Sequence, residues 1–179
     1  MNVLRRSSPR AILILALFLT LGFGRASFAQ SSPPPALPAQ LISIAEAHAI
    51  IEGAYAYARE KNIRLGVVVL DTAGELVAGE HMDGALARNI MLAQGKAFAS
   101  VMYRTTSQAM GELYKTSPDR YFGIMNVYGS KIYLVGGGVP LSADGKLVGA
   151  VGVAGSNQDE AAARAGIAAW EKMRASLTK

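Results

Sequence analysis

Gly136 to Ser156, GGGVPLSADGKLVGAVGVAGS, is two apolar runs joined by a short polar turn. Val139-Pro140-Leu141 leads into Ser142-Ala143-Asp144-Gly145, and the chain returns through Lys146 to Val153. Asp-Gly between apolar runs marks a tight hairpin, because that turn needs residues that tolerate positive φ. Alternation puts Val148, Ala150 and Gly152 on one face of the returning strand, and Leu147, Gly149, Val151 and Val153 on the other. Neither face is polar, so the strand is expected to be central and covered on both sides. Its small residues admit either a closely packed helix or a flat ligand.

Downstream, Asn157 to Thr178 reads as a helix, with Asn157 or Asp159 as cap. Ala163, Gly166, Ile167, Trp170, Met173 and Leu177 form its apolar stripe. Upstream, Lys131 to Val135 reads as a strand, Ile124 to Tyr128 as strand or loop, and Lys115 to Gly123 as loop. Leu86 to Tyr103 is a helix with two apolar stripes, expected to be buried or at a subunit interface. Its third stripe, Asn89, Leu92, Lys96, Ser100 and Tyr103, carries Lys96 as a solvated cation or the partner of an anionic ligand. Thr105 and Thr106 follow it as hydroxyl donors, and Ser107 opens a short helix. Leu65 to Leu70 and Glu75 to Met82 are two strands around Asp71-Thr72-Ala73-Gly74, ending at Asp83-Gly84. The first helix starts at Ser43, where Ser43 and Glu46 have capping-box spacing. Its expected stripe is Ile44, His48, Ile51, Tyr55 and Ala58, with His48 as a core histidine or a metal donor. The order, with hairpins segregated from helices, gives an α+β domain with an antiparallel sheet over residues 41–179.

The first 40 residues differ in kind. Arg5, Arg6 and Arg10 precede the apolar run Ala11 to Phe23, and Ser27-Phe28-Ala29 has small-x-small cleavage character. Residues 1–29 therefore read as a signal peptide, and the run is shorter than the roughly 20 residues of a membrane span. A periplasmic or secreted protein is expected, with no stable membrane span after cleavage. Residues 30–40, QSSPPPALPAQ, read as a Pro/Ser-rich linker. The formal charge of the whole chain is +5. Four arginines and no acid lie within residues 1–29, leaving 14 Lys and Arg against 13 Asp and Glu. That near-neutral balance argues against a nucleic-acid partner. There is no cysteine, so stability in an oxidising compartment rests on the core.

Val67-Val68-Val69-Leu70-Asp71 with Gly74, Met82-Asp83-Gly84-Ala85, Lys96-Ala97, Gly137-Gly138-Val139-Pro140-Leu141 and Val148 to Gly155 occur in order, followed by Asp159 and Glu160. In this pattern the chain resembles the GlcG/HbpS haem-binding family, which includes the C-terminal domain of PduO-type adenosyltransferases. The resemblance implies a profilin-like fold, a five-stranded antiparallel sheet flanked by helices, and a homo-oligomer. It also implies haem as cofactor, with histidine or threonine as axial ligand in different members. Haem iron needs a donor with a lone pair, and only His48 and His81 are histidines. His48, on the face expected to turn toward the sheet, is the first choice, and Thr105 or Thr106 the second. Met82 is a soft donor, and Lys96 and Asp83 are charged candidates for lining a pocket. The chain lacks GxSxG, HExxH and a GxGxxG opening a helix, so no catalytic residues are assigned. The second functional class is an enzyme or auxiliary acting on an organic acid, as in glycolate or aromatic catabolism. In that reading Lys96 and Asp83 line one pocket.

Overall fold

The computed structural model describes residues 41–177, so the signal-peptide and linker readings lie outside the described residues. The hairpin forms as its sequence dictates. β3 (Gly138–Ala143) and β4 (Lys146–Ala154) are joined by Asp144 and Gly145, both at positive φ, 51° and 74°. β4 is central, paired antiparallel with β3 on one side and with β1 (Gly66–Leu70) on the other. β2 (Leu76–His81) pairs antiparallel with β1 and closes the order β2-β1-β4-β3.

The sheet therefore has four strands, not the five implied by the resemblance. The expected strand at Lys131 to Val135 is absent for a definable reason. Its polar groups are taken by other partners. Tyr133 N–H donates to the Gly95 carbonyl, and the Val135 carbonyl accepts from Ser107 Oγ at 2.6 Å. Residues 129–131 form a 3-10 turn instead.

The face assignment along β4 also needs correction. Leu141 pairs with Gly149 but Ser142 pairs with Leu147, so Val148 is an extra residue in the ladder. This β-bulge reverses the alternation. Val148 joins Val151 and Val153 on one face, while Leu147 joins Ala150 and Ala154 on the other.

Two helices cover the first face. α1 (Ile44–Glu60) and α6 (Asp159–Leu177) bury Ile50, Ile51, Leu65, Val67, Val69 and Trp170 between them and the sheet. Each large apolar side chain so buried contributes about 1.5–3 kcal/mol. The buried side of α1 is Ala47, Ile50, Ile51, Ala54, Tyr55 and Ala58. Ile44 is 62% exposed and His48 is exposed, so the expected stripe was rotated toward the bulkier residues. Small residues set the true phase, because α1 meets α6 closely. A Cβ on Gly53 would stand 2.5 Å from the Ala169 Cβ.

α2 (Arg88–Tyr103) covers the other face through Ala93, Ala97 and Val101. Its far side packs on α3 (Ser107–Gly111), α5 (Pro118–Tyr128) and Leu134, through Ala99, Met110 and Ile124. The stripe of Ala93, Ala97 and Val101 is thus buried within this chain, whereas on the second stripe Phe98 and Met102 are half-buried and Met91 is 61% exposed. The segment read as loop from Lys115 to Gly123 is mostly helix: α4 (Leu113–Thr116) and then α5, which runs on through Ile124 to Tyr128. Pro118 at the first helical turn and Asp119 beside it start a helix rather than break one.

Glu46 ties α1 to α6. Its carboxylate accepts from Ser43 N and Oγ at 2.8 Å, completing the capping box, and from Trp170 Nε1 at 3.1 Å and Arg174 Nη1 at 2.6 Å. Burial opposes its ionisation, but the bonds from Ser43, Trp170 and Arg174 outweigh that and lower its pKa from 4.5 to about 2. A depressed folded-state pKa stabilises above the unfolded value and loses that contribution as pH falls through the folded one. Wild-type stability is therefore expected to fall from pH 4.5 to about 2. Glu46→Gln should cost about 1–2 kcal/mol at pH 7 and flatten that dependence, as read by denaturant unfolding at several pH values.

Candidate functional site

One polar groove runs between α1 and the edge strand β2. His48, Glu52, Tyr55 and Arg59 follow one side of α1 at spacings of four, three and four. They span about 16 Å of helix at 1.5 Å per residue. From β2, Glu80 faces them. His48 Nδ1 lies 3.0 Å from Glu80 Oε1, with both side chains about half exposed. His48 Nε2 has no partner among the described residues. Further along, Tyr55, Arg59, Arg64, His81, Met82 and Asp83 line a cavity of about 390 Å³. Tyr55 is 6% exposed, and its hydroxyl is buried without a hydrogen bond among the described residues. Burial first, then the carboxylates of Glu80 and Glu52, push that hydroxyl above its ordinary pKa, so it remains a protonated donor.

The sequence candidates separate. Met82 packs partly into the core beside Ala78, and its backbone N–H donates to Leu65. Asp83 and His81 are exposed at the cavity rim, His81 Nδ1 lying 3.2 Å from the Met82 carbonyl. Thr105 and Thr106 lie beyond α2, after the left-handed Arg104, and line neither this cavity nor the one described next. The Thr106 hydroxyl accepts from Ala109 N–H as the cap of α3.

Lys96 is neither solvated nor next to Asp83. It is 2% exposed, and its Nζ donates to Asp159 Oδ2 at 2.6 Å and to the Val153 carbonyl at 3.0 Å. Asp159 Oδ1 accepts from Ser156 N–H at 2.7 Å, which fixes the entry to α6. The pair backs a second cavity of about 300 Å³ at the start of α2, where Arg88 and Asn89 also stand. The stripe that looked solvent-facing is largely buried, with Asn89 at 4% and Ser100 at 0% exposure. Among the described residues no three His, Asp or Glu side chains converge as a cage for a metal ion.

The sequence reading missed Glu80, Tyr55, Arg59 and Arg64. The signal for the α1 residues was their helical spacing from His48. For Glu80 it was strand alternation with Met82, which places both on the α1 side of β2.

Over residues 42–168 the chain matches the family described as haem degrading protein, HbpS-like. It belongs to that family. Klebsiella pneumoniae protein ORFY is similar in structure, with a TM-score of 0.70 at 22% identity, covering 79% of this chain and 98% of that one. PduOC in complex with haem superposes with a TM-score of 0.66 at 26% identity, covering 72% of this chain and 94% of its own. An uncharacterised 15.0 kDa protein from the dhaT-dhaS intergenic region of Citrobacter freundii is 26% identical over 119 residues, 66% of this chain and 83% of that protein.

Breaking a buried ion pair leaves an unpaired charge and costs about 3–5 kcal/mol, whereas replacing both partners can be near neutral. Asp159→Asn keeps an acceptor for Ser156 and removes only the counter-charge. It should lose about 3 kcal/mol in denaturant unfolding, and adding Lys96→Met should restore at least half of that loss.

Proposed function

We propose that this is an exported haem-binding protein, serving haem carriage, storage or sensing, with His48 as the axial ligand. The observation that carries the reading is the His48–Glu80 pair. A carboxylate on Nδ1 favours the tautomer whose lone pair is on Nε2. The His48 side chain is about half exposed, and Nε2 has no competing partner among the described residues. A tetrapyrrole brings four nitrogen donors of its own, so one imidazole suffices without a multi-residue metal cage. The adjacent cavity offers Arg64 as a cation for a propionate group, with Arg59 beside it in an exposed 3.5 Å pair with Glu52, and Met82 as a soft apolar contact. Bound haem would supply a redox-active iron. The chain's own residues hold the imidazole, fix its tautomer and neutralise the acidic edge of the ligand. The similarity to PduOC in complex with haem supports the reading. Thr105 is the second choice of donor, because Thr106 is engaged as a helix cap.

Export rests on the signal-peptide character of residues 1–29. We further propose a homo-oligomer, favoured by the exposed Tyr114, Phe122 and Val127 on α4 and α5. Sedimentation should then give a multiple of the protomer mass, and a monomer at micromolar concentration would remove this part of the reading.

Haemin titration should give a saturable Soret band. His48→Ala should shift the band and weaken binding at least tenfold, and Glu80→Gln should weaken it severalfold with the band position kept. An unchanged spectrum and affinity in His48→Ala would dismiss His48 as the ligand.

A further inference from the structure

We propose a second ligand site at the start of α2, built to hold a small organic carboxylate. It lies on the α2 side of the sheet, away from the His48 groove, and does not depend on haem.

Four observations converge on the cavity of about 300 Å³ found there. First, Asn89 lines it while only 4% exposed, and its carboxamide makes no hydrogen bond among the described residues. Buried amides are rarely left unpaired, and this one lines the cavity. Second, α2 begins at Ala87 with no capping side chain and no acid in its first turn. The Asn89 backbone N–H is given to the Leu86 carbonyl, and the positive dipole end of the helix is left for an anion. Third, Arg88 stands at the mouth without an ion-pair partner among the described residues. Lys96 is already neutralised by Asp159, so Arg88 supplies the uncompensated charge. Fourth, one side of the wall is hydrocarbon, from Leu86, Leu92, Val135 and Ala154 with the Tyr133 ring beside Lys96, while Ser156 and the Lys96–Asp159 pair form the polar side.

The chemistry follows from that arrangement. A planar carboxylate matches the fork of an arginine and the N–H of an amide. The apolar wall favours a short hydrocarbon body over inorganic phosphate. The cavity volume lies at the low end for small-molecule sites, which selects small acids. The organic-acid reading that paired Lys96 with Asp83 fails, since those residues line different cavities. Arg88 and Asn89 take the binding role in their place.

The test uses haem-free protein and four probes: isobutyrate, benzoate, isobutyramide and inorganic phosphate. Binding is followed by saturation-transfer NMR and by the backbone amide shifts of Arg88 and Asn89. Isobutyrate or benzoate should bind at least tenfold more tightly than isobutyramide and than phosphate. Arg88→Ala should remove at least tenfold of carboxylate affinity with the fold intact, because Arg88 is exposed. Val135→Trp, at a position 47% exposed on the wall, should fill the cavity and abolish benzoate binding. Equal affinity for isobutyrate and isobutyramide would overturn the proposal. So would phosphate binding more tightly than either acid, or carboxylate affinity unchanged in both variants.

Discussion

The closest constraint in the structure is the seating of α2 on β4. A Cβ on Gly152 would lie 2.0 Å from the Ala93 carbonyl oxygen, and one on Gly138 would lie 2.2 Å from that of Lys96. Only hydrogen fits at either position, so helix backbone rests directly on strand backbone. This approach decides between the two readings of the small-residue run: a helix occupies it, not a flat ligand. It also determines the fate of Lys96. With α2 pressed onto the sheet, the lysine stem cannot reach solvent, and its ammonium meets the end of β4 and the start of α6. The buried pair with Asp159 follows from backbone packing, and it joins three elements at one point.

Local chemistry was legible wherever one residue type answers one local need. The Asp144-Gly145 turn, the Ser43–Glu46 box and the burial of β1 and β4 all follow from short-range rules. Tertiary choices were not. The fifth strand fails because Gly95 and Ser107 claim the polar groups of Tyr133 and Val135 from outside the segment. The bulge at Val148 is a property of a pair of strands, invisible in one. The helical stripe of α1 was misplaced because alanines and Gly53 set its phase through contact with α6, where a hydrophobicity reading favours Ile44.

The same division runs through the candidate sites. His48 could be singled out from sequence as a lone-pair donor, but its value comes from Glu80, which lies 32 positions along the chain. A core histidine would have spent both nitrogens on protein partners. Exposure, combined with one carboxylate on Nδ1, leaves Nε2 available. Likewise Lys96 drew notice as a cation, and the structure assigns it a structural anion. The less conspicuous Arg88 and Asn89 remain open to a ligand. In this family fold the two faces of the sheet thus carry different chemistry: a surface imidazole with flanking arginines on the α1 side, and a small mixed cavity at the α2 terminus.

The central claim is that haem iron is held by His48. The most direct measurement is NMR of the ¹⁵N-histidine-labelled protein with one equivalent of ferric haem. The chain has two histidines, so each can be assigned by substitution. The account predicts that the ring nitrogens of His48 move far outside the diamagnetic range, while those of His81 stay within it. A hyperfine-shifted His81, or two unshifted histidines in a haem-loaded protein, would contradict it.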